Sequence, residues 1–297
     1  MQNKLNKIVK DTNIFLKTFL KKQKKTDLLN PMKYGLFSGG KKIRSKILID
    51  VGSIYKTDYK TLIRVGAAVE CIHAYSLIHD DLPCMDNDNL RRGKPSTHIK
   101  FGESTAVLAG NSLLTMAFEI LSDYNLKINE RIKVELIRKL SECSGHVGIA
   151  GGQFLDLNFE KKKVSKQKII NMEIKKTGKL FSFCCMAPLI INNKKTKLIK
   201  FFEKIGFDIG LLFQVADDML DYSGDEKKTG KKIKKDQKKG KATLISLLGY
   251  KNAIKYNNKI KSRIINNLKK YGYKSNNLKE TLNYILTRSK WQKIINI

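Results

Sequence analysis

Only four prolines interrupt the 297 residues: Pro31, Pro83, Pro95 and Pro188. So few helix breakers, among long stretches of apolar periodicity, argue against a sandwich or barrel and for helices throughout. Acidic residues are also scarce, 27 Asp and Glu against 59 Lys and Arg, leaving a formal charge of +32. That imbalance suits nucleic acid or an anionic membrane. The excess is almost all lysine, however, spread beside Asn and Ile as in Tyr256-Asn257-Asn258-Lys259-Ile260-Lys261. This reads as a solvated surface and a coding bias rather than a groove, so no nucleic-acid partner is expected. The five cysteines form no CxxC pair and no metal-ligand spacing, which leaves buried thiols in a reducing compartment as the expectation. Long apolar runs are missing too. The longest, Phe183 to Ile191, has nine residues and contains Pro188, too short to cross a bilayer. Met1 to Lys25 lacks the continuous apolar stretch of a secretion signal. The expectation is a soluble, cytoplasmic protein without stable membrane insertion.

With 41% hydrophobic residues, the chain can bury a large core. We expect one all-α domain over residues 1–297, with no repeat and no internal boundary. Residues 1–30 read as a peripheral helix, broken at Asn30-Pro31. Ser38-Gly39-Gly40 is a turn that opens a helix carrying Lys41 and Arg44. Thr61 to Leu82 is apolar nearly all round, the mark of a central helix, and Pro83 ends it. Asp86 to Gly102 reads as a loop. Helices follow over about 104–121, 130–157 with a possible break at Gly151-Gly152, 168–191 with a bend at Pro188, and 195–222. Residues 225–241 form a lysine-rich mobile loop. Amphipathic helices over about 253–270 and 278–294 close the chain.

Two acidic clusters stand at the ends of core helices. In Asp217-Asp218-Met219-Leu220-Asp221, positions i and i+4 share a helix face and i+1 lies 100° away, so three carboxylates crowd one edge. Like charges that close ask for cations, and Mg²⁺ is a hard ion that takes carboxylate and phosphate oxygens. Taken alone, the cluster also fits a solvated acidic helix end. Asp80 and Asp81 form the second cluster with Asp86, which Pro83 allows to fold back toward them. Arg91 and Arg92 follow, offering two guanidinium forks for phosphate. Two such triplets, about 130 residues apart, point to a metal–diphosphate site.

These residues carry a resemblance. Cys71-Ile72-His73-Ala74-Tyr75-Ser76-Leu77-Ile78-His79-Asp80-Asp81-Leu82-Pro83-Cys84-Met85-Asp86, with Leu90-Arg91-Arg92-Gly93, resembles the first aspartate-rich motif of trans-prenyl diphosphate synthases. Phe213-Gln214-Val215-Ala216-Asp217-Asp218-Met219-Leu220-Asp221 resembles the second. Gly39-Gly40-Lys41-Lys42-Ile43-Arg44 is similar to the family's glycine-lysine-arginine motif. Gly151-Gly152-Gln153-Phe154-Leu155-Asp156-Leu157 and Lys176-Thr177-Gly178-Lys179-Leu180 match further segments. The resemblance covers residues 35–248 and is nearest to bacterial members making a C15 product. Ser45 departs from it, standing where the family usually has proline, and the tail Trp291–Ile297 extends beyond the usual basic terminus.

The resemblance implies an isoprenoid synthase fold: a large helical bundle around a deep central cavity, usually a homodimer. It implies condensation of isopentenyl diphosphate with dimethylallyl and then geranyl diphosphate, giving farnesyl diphosphate. Mg²⁺, three ions with the diphosphate, would be held by Asp80, Asp81, Asp86, Asp217, Asp218 and Asp221. Arg91, Lys176, Gln214, Lys231 and Lys241 would contact the allylic diphosphate, with Thr177 where the family interrupts a helix beside the allylic cation, its oxygen able to face the charge. Lys41, Arg44, His73 and Arg92 would bind isopentenyl diphosphate without metal. Alternatives for the bland residues remain: Gln153 could satisfy backbone groups, Thr177 could bond back to its own turn, and His79, His98 and His146 read as structural.

Product length rests on what floors the cavity. Five residues of helix span roughly 7.5 Å, which puts Tyr75, beside small Ser76, below Asp80 as a cap on the tunnel. Tyr75 could instead simply pack against another helix, leaving a geranylgeranyl or geranyl diphosphate synthase open. A class I terpene cyclase would carry one acidic motif and no isopentenyl site. A nucleic-acid-binding protein would not place carboxylate triplets in apolar surroundings.

Overall fold

The computed structural model describes residues 1–223 and 240–294, with side chains at 223 and 288–294 left out of account. Its described elements are helices apart from one two-stranded hairpin. They are α1 (Gln2–Lys22), α2 (Leu29–Leu36), α3 (Ile43–Ile54), α4 (Tyr59–Asp80), β1 (Leu90–Arg91), β2 (Lys94–Pro95), α5 (Thr97–Phe101), α6 (Glu103–Ser122), α7 (Glu130–Ser144), α8 (Ile149–Phe159) and α9 (Lys166–Glu173). A π-helical turn (Ile174–Gly178) leads into α10 (Lys179–Ile191), then α11 (Thr196–Ser223), α12 (Leu244–Leu248), α13 (Tyr250–Leu268), a 3₁₀ segment (Lys269–Ser275) and α14 (Asn276–Ile294).

α4 is the central rod. Asp58 caps it, its carboxylate accepting from the Thr61 N–H at 2.8 Å and the Thr61 hydroxyl at 2.9 Å. Val65, Ala67, Ala68, Val69, Cys71 and Ile72 along it are fully buried. α3, α6 and α10 pack around this rod, α10 lies along α11, and the apolar core extends without interruption from Leu5 to Ile285. Among the described residues two helices, α4 and α6, are long and apolar enough to cross a membrane; 78% of the apolar stretch of α4 is buried in the protein, and 44% of that of α6.

Several expected boundaries move. The first helix ends at Lys22, and Pro31 lies inside the first turn of α2, where its missing N–H has no partner to lose. The expected loop of residues 86–102 holds the β1–β2 hairpin and α5. The helix expected over 130–157 breaks at Gly145–Gly148, not at Gly151-Gly152. Gly152 serves a close approach instead: a Cβ there would sit 2.1 Å from the Lys176 backbone nitrogen. The interruption in the 168–191 segment is the π turn at Ile174–Gly178, while Pro188 sits within α10. Of the cysteines, Cys84 is exposed and the other four are buried. The lysine-rich loop of 225–241 lies outside the described residues up to 239, as does Lys231; so does the end of the tail, 295–297.

Candidate active site

The first cluster forms where α4 runs out. Asp80 is its last residue, and Pro83 prevents another turn. The chain curls back so that the Asp86 N–H donates to the Asp80 carbonyl at 2.8 Å and the Asp88 N–H to that of Asp81 at 3.1 Å. The tight β1–β2 turn has positive φ at both central residues, Arg92 (55°) and Gly93 (76°), as a type I′ turn requires. It sends its two arginines different ways. Arg91 Nε lies 3.0 and 3.1 Å from the two carboxylate oxygens of Asp81, and Nη2 also bonds that carboxylate. Arg92 donates to the Gly39 carbonyl, and a side chain at Gly40 would overlap its guanidinium, with Cβ 2.6 Å from Cζ.

Two hydrogen-bonded runs, one from each acidic cluster, meet at the adjacent residues Lys176 and Thr177. Asp86 accepts from Lys241 Nζ at 2.9 Å, and the same ammonium reaches Asp156 Oδ2 at 3.0 Å. Asp156 Oδ2 also accepts from Lys176 Nζ at 2.6 Å. The next residue along the π turn, Thr177, donates its hydroxyl to Gln214 Oε1 at 2.9 Å, and Gln214 Nε2 donates to Asp218 Oδ1 at 2.8 Å. The π turn points consecutive side chains at the two clusters; such bulges gather at functional sites. Thr177 therefore does not bond back to its own turn. Asp218 is buried on α11, Asp221 is half-buried and Asp217 is exposed.

Charge in this cleft is unevenly matched. Burial, with repulsion from Asp86, pushes the Asp80 carboxyl up to about 6 against the pull of Lys176, Arg91 and Lys241. Burial would raise Asp156 as well, but Lys176 and Lys241 hold it below the ordinary carboxylate value. Burial lowers the two ammonium groups, and the carboxylates, Asp156 foremost, more than offset it, so both stay firmly charged. Among the described residues, no three Asp, Glu, His or Cys side chains are drawn together as a ready metal cage. Arg91 and the two lysines pair with several of the carboxylates. The donor set is nonetheless all oxygen and strongly anionic, which fits a hard divalent ion.

Sequence reasoning gave Asp156 no role. Its available signal was a lone charge inside the apolar, glycine-rich segment Ile149–Leu157, and lone buried charges are rare unless paired. Gln153, for which satisfying backbone groups was one open reading, is buried, and neither end of its amide makes a hydrogen bond among the described residues.

A second basic pocket lies at the start of α3. Arg44 lies over the rings of Phe181 and Phe213, 4.8 and 5.7 Å from their centroids, and its buried Nε has no hydrogen-bond partner among the described residues. Half-buried His73 is driven well below its ordinary value, first by burial and then by Arg44, Arg92, Lys42 and Arg91, so it is neutral. Lys41 is exposed, its Nζ 5.1 Å from the Tyr284 ring centroid. Ser45, where a proline was the family expectation, uses its extra donor. Its N–H and hydroxyl lie 3.2 and 3.0 Å from Glu70 Oε1. Tyr75 is buried beneath Asp80, its hydroxyl 3.4 Å from the Ser144 carbonyl at the end of α7 and its ring edge-on to His79. Ser76 turns back to the His73 carbonyl at 3.0 Å.

An all-α scaffold that sets two aspartate clusters around a pair of lysines, beside a separate cationic pocket, is that of an enzyme handling diphosphates. The polyprenyl synthetase family profile matches residues 25–285, and the chain belongs to that family. It is 43% identical over 232 residues to the farnesyl diphosphate synthase of Escherichia coli, covering 77% of this chain and 78% of that one. It is 40% identical over 245 residues to that of Bacillus subtilis, covering 81% and 83%. The geranyltransferase of Helicobacter pylori, solved with magnesium and isoprenyl diphosphate, superposes with a TM-score of 0.80 at 33% identity, covering 96% of each chain.

Proposed function

We propose that this chain elongates prenyl diphosphates, condensing isopentenyl diphosphate with dimethylallyl and then geranyl diphosphate to give farnesyl diphosphate. The single observation that carries the reading is the meeting of the run Asp86–Lys241–Asp156–Lys176 with the run Thr177–Gln214–Asp218 at adjacent residues of the π turn. Two carboxylate walls with ammonium groups between them can grip one diphosphate from both sides. Asp80, Asp81, Asp86, Asp217, Asp218 and Asp221 are the residues that would hold Mg²⁺, which when bound supplies Lewis-acid stabilisation of the departing diphosphate.

The protein's own groups do the rest. Lys176, Lys241 and Arg91 bring positive charge to the allylic diphosphate, and Lys231 is proposed to join them. The Thr177 oxygen, on the π turn, faces the charge left on the allylic carbon. Arg44, Arg92, Lys41 and neutral His73 hold isopentenyl diphosphate as a metal-independent anion site, His73 as an N–H donor. The new bond forms between the isopentenyl double bond and the allylic cation, and the departed diphosphate accepts the proton. We further propose a single catalytic domain that works as a homodimer. Val107 and Leu108 of α6, 37% and 54% exposed opposite the face buried on α4, support such an interface.

Incubation with isopentenyl and dimethylallyl diphosphates, followed by chromatography of the dephosphorylated products, tests the activity. A C15 alcohol is expected. Product from geranyl diphosphate alone would identify a cyclase instead. Tyr75 is proposed as the tunnel floor. Tyr75→Ala removes the buried ring and is expected to shift the main product to C20 or longer; a mutant that still stops at C15 moves the floor elsewhere.

A further inference from the structure

Inside the seam between α3 and the C-terminal helix α14 lies an ion pair that the chemistry above does not use. Lys46 and Asp50 are 2% and 3% exposed, and Thr281, which meets them, is fully buried. Lys46 and Asp50 pair directly, one helical turn apart. Lys46 Nζ reaches the Thr281 hydroxyl at 3.1 Å, and that hydroxyl lies 2.6 Å from Asp50 Oδ2. The rest of the seam on α14 is apolar: Leu278, Leu282 and Ile285 are all fully buried.

An apolar stripe alone specifies axial position weakly, because leucine and isoleucine a turn away make equivalent contacts. A buried charge pair with a hydroxyl partner is different. Sliding α14 by a turn would take the hydroxyl from both charges and leave each with only the other in a dry seam, and specifying register is the best-attested use of such groups. The neighbouring contact follows the same antiparallel register: three residues beyond Thr281 the Tyr284 ring meets Lys41, just ahead of α3.

We propose that Lys46, Asp50 and Thr281 are positioning residues for the isopentenyl diphosphate pocket. They fix α14 on α3 so that Tyr284 steadies Lys41 at the pocket mouth. The inference rests on the reading of Lys41 as a ligand of that diphosphate.

Steady-state kinetics with each diphosphate varied separately tests it. Thr281→Val, nearly isosteric, is expected to raise the KM for isopentenyl diphosphate about five- to tenfold, with kcat and the allylic KM within about twofold, the signature of lost binding at one subsite. Thr281→Ser keeps the hydroxyl and is expected to behave as wild type. The triple variant Lys46→Met/Asp50→Leu/Thr281→Val replaces the polar set with apolar groups and should melt no lower than Thr281→Val. If its isopentenyl KM stays raised, the role is positional. A return to wild-type KM in the triple variant, or no change in Thr281→Val, overturns the proposal. Lys41→Ala, measured alongside, separates the two readings. A raised isopentenyl KM in Lys41→Ala with none in Thr281→Val sinks only the register role. An unchanged KM in Lys41→Ala overturns the pocket assignment and this inference together.

Discussion

Asp80→Asn is expected to lower kcat by roughly 10²–10³-fold, the scale seen when a preorganised electrostatic contact to a developing charge is removed. The same change is expected to stabilise the metal-free protein. The Asp80 carboxylate makes no hydrogen bond or ion pair among the described residues, and burial with Asp86 lifts it to about 6 from 3.8. A carboxyl whose folded pKa lies above its unfolded value binds its proton more tightly when folded, so ionising it weakens the fold. Stability therefore falls as pH rises from about 4 to about 6 and stays lower above that. The shift corresponds to something on the order of 1–3 kcal/mol. Asparagine carries no charge and should remove that penalty. The melting temperature without added metal should rise by a few degrees at pH 7.5 and converge with wild type near pH 4. Calorimetry at both pH values, with a turnover assay, checks the pair of effects. Near wild-type turnover would remove Asp80 from the ionisation step.

Such a residue is kept for function at the expense of stability, and that is why it could be read from sequence. Carboxylates crowded at the end of an all-apolar helix conflict with the fold, and the conflict is visible in one dimension. α4 was legible for the matching reason: its apolar positions surround the helix, Asp58 caps it and Pro83 stops it. The helix break at Gly145–Gly148 was not. Gly151-Gly152 looked equally able to break a helix, and only the nearness of the Lys176 backbone shows that Gly152 serves packing. The π turn was legible only through the resemblance, which implies a helix interruption at Thr177; nothing in Ile174-Lys175-Lys176-Thr177-Gly178 itself marks a change of hydrogen-bond register. The hub at Asp156 was missed because its partners, Lys176 and Lys241, are 20 and 85 residues away.

That hub yields the second large effect, and its sign on stability is opposite. Asp156→Asn is as conservative in shape as Asp80→Asn, and it too removes one negative charge from the same cleft. Here the charge is matched. Lys176 and Lys241 both bond a single carboxylate oxygen, at 2.6 and 3.0 Å, and together hold the group below the ordinary carboxylate range despite its burial. An amide in its place leaves two buried ammonium groups facing each other, and breaking a buried pair from one side typically destabilises by about 3–5 kcal/mol. Lys241 retains Asp86, so the lower end of that range applies, a drop of roughly 5 °C in melting temperature for a chain of this length. Because the lysines are the proposed grip on the allylic diphosphate, their separation should also lower kcat/KM for that substrate by about 10²-fold, with the isopentenyl KM little changed. The linkage sign is that of a depressed carboxyl: the stability Asp156 contributes is present above its unfolded pKa and fades as the pH falls toward its folded value. Asp156→Asn should therefore differ most from wild type near neutrality and least in acid. Two Asp→Asn changes in one cleft, melting in opposite directions at pH 7.5, would separate a carboxylate waiting for a cation from one already holding two. If both variants move the same way, the polar chain does not divide its charges as drawn here.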